Sequence, residues 1–457
     1  MTNKGREIIS MKLFGTDGIR GRSGEFPLDD ATVAAIGRAV GEHLRDRLGR
    51  GARIITGRDT RESGEHIERL FSGAAAGSGA ECLSAGVITT PGVAFLTAEG
   101  GFDVGVVISA SHNPYEDNGI KLFTPSGKKL NEQDERELEA RISELRRTDA
   151  STANEPAELE HYPDADNKYL EHLTSNLAGL RLDGLSIALD CANGAASHLA
   201  PELFRGLGAE VRTLACEPDG RNINRDCGSL HLEGLQAAVA ESRADIGIAF
   251  DGDADRCLFV DAAGNVVDGD ATLWILANEM QRSGELKSGK VIATVMSNMG
   301  LEIAFREAGI ELVRANVGDK YVLEEILRTG AEFGGEQSGH IIFRQVGLVG
   351  DGMMTALLVL NAMTSSGKPL AELAAGFARL PQVLVNQRVR EKVPFETVPA
   401  IQAAADDAER RLAGQGRLLL RYSGTENLAR VMIEGRDQKE IEEIANGIAA
   451  VIREAIG

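Results

Sequence analysis

Val106-Val-Ile-Ser-Ala-Ser-His-Asn-Pro114, continued by Asp117-Asn-Gly-Ile-Lys121, is the stretch on which the fold of this chain turns. The apolar run from Val104 to Ile108 reads as a buried strand. It stops at Ser109, Ser111, His112, Asn113 and Pro114, and Pro114 bars a helix and biases Asn113 towards an extended backbone. Asp117-Asn-Gly119 turns the chain, and Ile120 to Phe123 reads as a second short strand. A hydroxyl, an imidazole and an ammonium are thereby gathered at a strand end, where open α/β sheets place ligands. Ser111 fits a nucleophile, His112 its partner and Lys121 a proton donor or anion holder. An ordinary polar loop can also hold a serine beside a histidine, so function rests on what the other loops carry.

Working outward, a second apolar run, Asp245 to Phe250, leads straight into Asp251-Gly-Asp-Ala-Asp-Arg256. Its three alternating carboxylates repel unless a cation binds among them, and hard oxygen ligands select magnesium, calcium or manganese. The calcium helix-loop-helix pattern fails, because Arg256 stands at its glycine position and Ala262 at its bidentate glutamate. A third loop, Gly334-Gly-Glu-Gln-Ser-Gly-His340, again precedes an apolar pair. A fourth, Arg421-Tyr-Ser-Gly-Thr-Glu426 with Arg430 beyond it, offers guanidinium, hydroxyls and exposed backbone N–H groups. Arg421, Ser423, Gly424, Thr425 and Arg430 make a phosphate cradle. Either of the last two, met alone, passes equally for a hairpin turn.

Composition narrows the options. A chain of 457 residues suits two to four domains. No apolar run reaches the about 18 residues of a membrane span, and residues 1–10 lack a signal core, so a cytoplasmic location is expected. Met11 precedes the first motif and reads as the natural start, with residues 1–10 an extension. Five cysteines without metal spacing fit a reducing compartment. A net charge of −20 argues against nucleic acid and anionic membranes as partners. An anionic substrate then needs a locally basic pocket, which makes the loop arginines informative.

The expected elements follow a βαβ rhythm. Asp30–Leu48 reads as an amphipathic helix, Arg53–Thr56 as a strand before a polar turn at 57–62, and 64–79 as a helix. Thr89-Thr-Pro-Gly92 reads as a breaker before another helix, and 131–147 as a charged, solvated helix. Further on come strand 185–190, helix 195–206, strand 210–214 and helix 232–241. Strand 291–296, a helix to Ala308, strand 311–315 and a helix to Leu327 then precede the Glu336 loop. From about Val383 the order is strand, helix, two strands and a terminal helix. Gly284-Glu-Leu-Lys-Ser-Gly-Lys290 mimics a nucleotide phosphate loop, but Val291 replaces the metal-binding hydroxyl and a strand follows where a helix should.

Five motifs in order carry a resemblance. Phe14-Gly-Thr-Asp-Gly-Ile-Arg-Gly21, Ser109-Ala-Ser-His-Asn-Pro114, Asp251-Gly-Asp-Ala-Asp-Arg256, Gly335-Glu-Gln-Ser-Gly-His340 and Arg421-Tyr-Ser-Gly-Thr-Glu426 resemble the signatures of the α-D-phosphohexomutases, from about Met11 to the C-terminus. The resemblance implies three consecutive mixed-sheet α/β domains and a C-terminal α+β domain around a central cleft. The expected divisions are 1–150 with the phosphoserine loop, 151–262 with the metal loop, 263–380 with the sugar-binding loop, and 381–457 with the phosphate cradle. It implies an isomerase that moves a phosphoryl group within a sugar phosphate through a phosphoserine at Ser111 and a 1,6-bisphosphate, as part of amino-sugar metabolism. Mg2+ on Ser111, Asp251, Asp253 and Asp255 is the implied cofactor, with a hexose or hexosamine 1,6-bisphosphate as activator. Lys121, His340 and Arg20 are the implied candidates for acid–base and field roles. His112, Arg256, Glu336 and Ser338 join the cradle in gripping substrate. A small sugar phosphate is the expected partner, and monomer and homodimer stay open.

The chain departs from the wider family at Ala254, Tyr422 and Asn427, where glycine, proline and proline are frequent. Gln337 stands where members acting on mannose or glucose phosphate usually carry methionine, and members acting on glucosamine phosphate carry glutamine. Glucosamine phosphate is therefore expected over the other two. A non-catalytic sugar-phosphate sensor is the reading outside enzymes, but a sensor has no use for a phosphorylatable Ser111.

Overall fold

The computed structural model describes residues 12–15, 17–148, 156–412, 414–423 and 426–457. The expected extension at 1–10 with its start at Met11, and the core of the expected first domain boundary, lie outside these residues. Two compact units are present: Met1–Met296 with Val313–Ala374, and Ser297–Leu312 with Ala375–Gly457.

The first unit begins with β1 (Phe14–Gly15), β2 (Gly18–Arg22), α1 (Asp30–Leu48), β3 (Arg53–Arg58), α2 (Gly64–Gly77), β4 (Glu81–Val87) and α3 (Thr90–Glu99). It continues with β5 (Val104–Ile108), β6 (Asp117–Phe123), α4 (Glu132–Thr148), β7 (Glu160–His161) and α5 (Ala165–Ser175). The seven strands form one mixed sheet in the order β1-β2-β6-β5-β3-β4-β7. β5 is buried along its whole length and pairs in parallel with β3 and antiparallel with β6. The hairpin anticipated from Val104–Phe123 is therefore central to the sheet, with Ile108 opposite Ile120 and Val107 opposite Lys121.

A second sheet follows, built from β8 (Ser186–Asp190), α6 (Leu199–Gly206), β9 (Glu210–Leu214), α7 (Glu233–Ser242), β10 (Ile246–Phe250), β11 (Cys257–Asp261) and β12 (Val266–Val267), in the order β12-β11-β10-β8-β9. After α8 (Gly269–Ser283) come β13 (Lys290–Thr294), α9 (Met299–Glu307), β14 (Glu311–Ala315), α10 (Asp319–Thr329), β15 (Phe333–Gly335), β16 (Ile341–Phe343), α11 (Gly352–Ser366) and α12 (Leu370–Ala374). The third sheet runs β14-β13-β15-β16. In all three sheets an all-buried strand ends at a loop singled out from the sequence: β5 at Ser111, β10 at Asp251, β15 at Glu336.

The second unit is a three-stranded antiparallel sheet of β17 (Gln382–Arg388), β18 (Gly416–Tyr422) and β19 (Leu428–Gly435), ordered β17-β19-β18, with α13 (Pro399–Leu412) and α14 (Gln438–Ile456). Val431, Ile433, Ile441, Ile448 and Ile452 fill its core. α9 belongs here because Asn298, its cap, exchanges hydrogen bonds of 2.9 and 3.0 Å with the backbone of Leu380.

The structure differs from the sequence expectation at four places. Asp117-Asn-Gly119, expected to turn the chain, already lies in β6 and pairs with Arg22, Gly21 and Arg20, the chain turning instead within 111–116. β3 runs on to Arg58, through the start of the expected turn. Thr89-Thr-Pro-Gly92 forms the first turn of α3, where Thr89 accepts the Gly92 N–H at 3.1 Å and a proline lacks only an unneeded donor. α6 starts at Leu199 instead of Ala195, because Ala192 and Asn193 turn left-handed at φ 53° and 49°. Among the described residues no helix is long and apolar enough to cross a membrane.

Candidate active site

Ser111 sits at φ 53°, a backbone state that costs a non-glycine residue energy and persists only where surroundings enforce it. Four groups do so. Its N–H donates to Ser109 Oγ at 2.9 Å, and Ser109 Oγ donates to Asp59 Oδ2 at 2.5 Å. Arg61 pairs with Asp59 and donates from Nη2 to the carbonyls of Ser111 and Asn113 at 3.1 and 2.6 Å. Asn224 Nδ2 donates to the same two carbonyls at 2.9 and 3.0 Å. The fully buried Ser109 hydroxyl thus links Ser111 to Asp59.

The Ser111 hydroxyl donates to Asp251 Oδ2 at 2.5 Å and lies 3.3 Å from His112 Nδ1. Burial, with Arg256 and Arg20 nearby, pushes the His112 imidazole down to about 4, so it is neutral at physiological pH. Asp251 is shared with the aspartate loop, which joins β10 to β11. Asp251, Asp253 and Asp255 are all buried, with carboxylate oxygens within 4.8 Å of one another. Asp253 Oδ2 accepts from Lys121 Nζ at 2.8 Å and Thr90 Oγ1 at 2.6 Å. Asp253 Oδ1 and Asp255 Oδ1 are buried with no hydrogen-bond partner. Orphaned carboxylate oxygens at this depth are costly, and a hard divalent cation satisfies them. The residues therefore fit a magnesium ion. Burial, and then Asp255 and Asp253, push Asp251 well above the usual carboxylate range. Burial pulls Asp253 the same way, but Lys121 outweighs it and holds Asp253 low.

Lys121 is 1% exposed and lies 3.0 Å from Asp17 Oδ2, 2.8 Å from Asp253 Oδ2 and 3.6 Å from Asp255 Oδ2. Burial opposes its charge, yet these carboxylates raise it above the usual lysine range, so it stays an ammonium. Arg20 also pairs with Asp17. Lys129, unnoticed in the sequence, bridges Asp17 and Asp319, and Asp319 Oδ2 lies 3.8 Å from His340 Nε2. Asp255 Oδ2 is 3.9 Å from the same nitrogen, and His340 Nδ1 is buried without a partner. Asp17 lay inside a quoted motif; Lys129, Asp319 and Thr90 had no pattern to mark them.

The third loop is seated directly on the aspartate loop. Arg256 and His340 form an antiparallel bridge, and Cys257 N–H donates to Gly339 O at 3.1 Å. A Cβ on Gly339 would meet Cys257 O at 2.2 Å, so only glycine permits this approach. Glu336 Oε1 accepts the Gly318 N–H at 3.2 Å, and Ser338 Oγ is buried without a partner. Burial opposes the Arg256 charge, but Asp251 and Asp255 raise it. Gln337 Nε2 reaches Asp268 Oδ2, at the cap of α8, at 3.3 Å.

In the second unit Arg421 faces Arg430 across the β18–β19 ladder, and burial together with Arg430 lowers Arg421. Arg430 Nη2 donates to Ser423 Oγ at 3.4 Å, while its Nε is buried without a partner. Lys392 Nζ, another unforeseen cation, donates to Ser423 O at 2.6 Å. Facing like charges destabilise a sheet, and an anion between them reverses the sign. Gly424 and Thr425 lie outside the described residues.

Family models for phosphoglucomutase/phosphomannomutase match in chain order: alpha/beta/alpha domain I over residues 11–149, domain II over 167–264, domain III over 268–380, and the C-terminal domain over 384–451. A protein named phosphoglucosamine mutase in Solibacter usitatus is 51% identical over 449 residues, covering 98% of this chain and 100% of that one. One of the same name in Deinococcus radiodurans is 48% identical, covering 98% and 99%. A phosphoglucomutase/phosphomannomutase family protein of Burkholderia thailandensis superposes with a TM-score of 0.80 at 25% identity over 97% of each chain. The N-acetylphosphoglucosamine mutase of Aspergillus fumigatus, solved with GlcNAc-6P and magnesium, shares the fold at a TM-score of 0.66 and 20% identity, over 97% of this chain and 96% of that one.

Proposed function

The chain belongs to the phosphoglucomutase/phosphomannomutase family, and on that premise we propose that it interconverts glucosamine 6-phosphate and glucosamine 1-phosphate. The observation that carries this is the Ser111 hydroxyl, held 2.5 Å from Asp251 at the mouth of a buried three-carboxylate cluster with two orphaned oxygens. The substrate follows the name of relatives that are about half identical along the whole chain.

Ser111 carries the phosphoryl group. A sugar hydroxyl attacks phosphorus, the bond from phosphorus to Ser111 Oγ breaks, and a 1,6-bisphosphate forms; reversal with the other phosphate restores the phosphoserine. Asp251, Asp253, Asp255 and a Ser111 oxygen would hold Mg2+, which would supply Lewis-acid neutralisation of the transferring group. Lys121, raised by three carboxylates and so held as an ammonium, donates hydrogen bonds and positive field and makes a poor base. Arg20 has the same limit, since a guanidinium keeps its proton. His340 remains as acceptor of the attacking hydroxyl's proton, with its Nε2 between Asp319 and Asp255. Glu336 and Ser338 grip sugar hydroxyls, His112 and Arg256 the phosphoryl oxygens. Arg421, Ser423, Gly424, Thr425 and Arg430 take a phosphate monoester. The division into 1–150, 151–262, 263–380 and 381–457, a hexose or hexosamine 1,6-bisphosphate activator and a cytoplasmic location complete the proposal.

Ser111→Ala tests it. Turnover of glucosamine phosphate, followed by a coupled assay, is expected to vanish together with protein-bound phosphate, while the melting profile keeps its form. Activity near that of the parent removes Ser111 as carrier. Equal turnover of mannose or glucose phosphates by the parent protein shifts the substrate to the neutral hexoses.

A further inference from the structure

The turn behind the aspartate loop holds two thiols side by side. β8 and β9 run parallel, with Asp190 opposite Leu214 at their ends. Cys191 N–H donates to Leu214 O at 3.3 Å, and Cys216 Sγ donates to that same carbonyl at 3.2 Å. The two thiols also act on each other: after burial, Cys216 raises Cys191, while Cys191 lowers Cys216. Both cysteines directly follow the paired strand ends, Cys191 by one residue and Cys216 by two, and Ala215 between Leu214 and Cys216 turns left-handed at φ 45°. Cys191 is fully buried and Cys216 half-buried, so only Cys216 meets solvent.

We propose that Cys191 and Cys216 form a redox dithiol, closed to an intramolecular disulfide by hydrogen peroxide, whose state is transmitted to the Ser111 loop. The Cys216 thiolate attacks one peroxide oxygen, the O–O bond breaks, and hydroxide leaves as water after taking up a proton; Cys216 becomes a sulfenic acid. Cys191 then attacks that sulfur. The S–S bond forms, the S–O bond breaks, and a second water leaves with the Cys191 proton. The hydrogen bond from Cys191 lowers the Cys216 thiol, against the pull of burial, which favours the attacking thiolate. Cys227, the third thiol nearby, accepts from Asn193 Nδ2 at 3.9 Å and is pushed up to about 12 by burial and Asp190, so it stays unreactive.

The turn that follows Cys191 touches both catalytic loops. Ala192 O accepts from Asn224 N–H at 2.9 Å, and the Asn224 side chain holds the carbonyls of Ser111 and Asn113. Ala195 N–H donates to Gly252 O at 2.8 Å, and a Cβ on Gly194 would meet that oxygen at 2.3 Å. Drawing the Cys191 and Cys216 sulfurs into a covalent bond moves this turn, and a displacement of about 1 Å at reacting groups costs roughly 100-fold in rate.

The test uses the full chain, treated with hydrogen peroxide and read by peptide mass spectrometry, free-thiol titration and turnover. The expected result is loss of two thiols, a Cys191–Cys216 peptide, and a fall in kcat that dithiothreitol reverses. Cys216→Ser is expected to abolish the peptide and the reversible inactivation, and Cys227→Ser to leave both intact. If either variant folds poorly, mapping the peptide in the parent protein decides alone. A disulfide to Cys227, no disulfide, an unchanged kcat in the disulfide form, or reversible inactivation that persists in Cys216→Ser overturns the proposal. None of these outcomes depends on which sugar phosphate is the substrate.

Discussion

Gly252→Ala adds one methyl group between the two loops that hold the chemistry and changes no charge. Gly252 has no positive φ, so alanine meets no backbone penalty there. Space is the obstacle. A Cβ would lie 2.6 Å from Ser111 O, 2.8 Å from Ile223 Cδ1 and 2.9 Å from Asn224 Nδ2. An ordinary contact begins near 3.4 Å, so the Ser111 carbonyl must retreat by 0.8 Å. That carbonyl is tied to Arg61 and Asn224, and the residue it belongs to reaches Asp251 through a 2.5 Å hydrogen bond. A retreat of this size breaks the bond between Ser111 and Asp251 and takes the attack line off axis. Overpacking of this kind costs about 1–3 kcal/mol of stability. Misplacement near 1 Å costs about 100-fold in kcat. Turnover, thermal melting and phosphorylation of Ser111 should be followed together, with Gly234→Ala, which meets nothing within 4 Å, as the control. A kcat within about twofold of the parent, in a folded Gly252→Ala protein, refutes the claim that these loops act as one rigid unit.

Arg421→Ala removes one of two facing guanidiniums from the C-terminal cradle. It is expected to cost about 1.5–3 kcal/mol of substrate binding, seen as a KM raised roughly 10- to 150-fold with Ser111 phosphorylation unchanged; parental KM refutes the cradle. Asp351 caps α11 and accepts from Tyr169 Oη at 2.9 Å, and burial pushes it up to about 6 from 3.8. Its folded value exceeds its unfolded one, so the stability it contributes is complete below about pH 4 and is lost as pH rises through 6. Asp351→Asn is expected to gain stability above pH 6, on the order of 3 kcal/mol, in denaturation curves taken across that range; a stability that still falls with pH as in the parent refutes it.

The sequence was most legible where one strand carries its own boundary. Val104–Ile108 is buried on both faces, so it reads as an unbroken apolar run, and Pro114 marks the loop, while Asp117-Asn-Gly119, read as the turn, belongs to the return strand. The aspartate loop was visible for the same reason. Lys129 and Asp319 were invisible because their meaning is purely spatial. One follows a turn, the other opens a helix, and only the fold brings them to Asp17 and His340. The role of Ser109 was hidden as well, because nothing in the sequence places Asp59 beside it. Ala254 was noted only as a departure from the family's usual glycine. It stands at φ 55°, the reason glycine suits the position, and alanine carries a cost of about 1–2 kcal/mol there. Gln337, which tipped the substrate reading, ends on the α8 cap at Asp268.

The charges around Lys121 show how a chain of net charge −20 can receive a phosphorylated substrate. Arg20, Lys121 and Lys129 face Asp17, Asp253, Asp255 and Asp319 in one network, buried at Lys121, Asp253 and Asp255 and half-buried at the rest, three positive groups against four negative. Attraction from the whole molecule has the wrong sign for a dianion, so local arrangement must supply it. Asp251, beside this network, is pushed upward and is the carboxyl that holds a proton most readily. A dication entering among the three aspartates displaces that proton and satisfies Asp253 Oδ1 and Asp255 Oδ1. Network, Asp251, Arg256 and dication would together carry one positive charge, where the aspartates alone would repel a phosphate. Lys121 thus offsets Asp253 and Asp255 through their Oδ2 atoms, yet leaves Oδ1 of each without a hydrogen-bond partner.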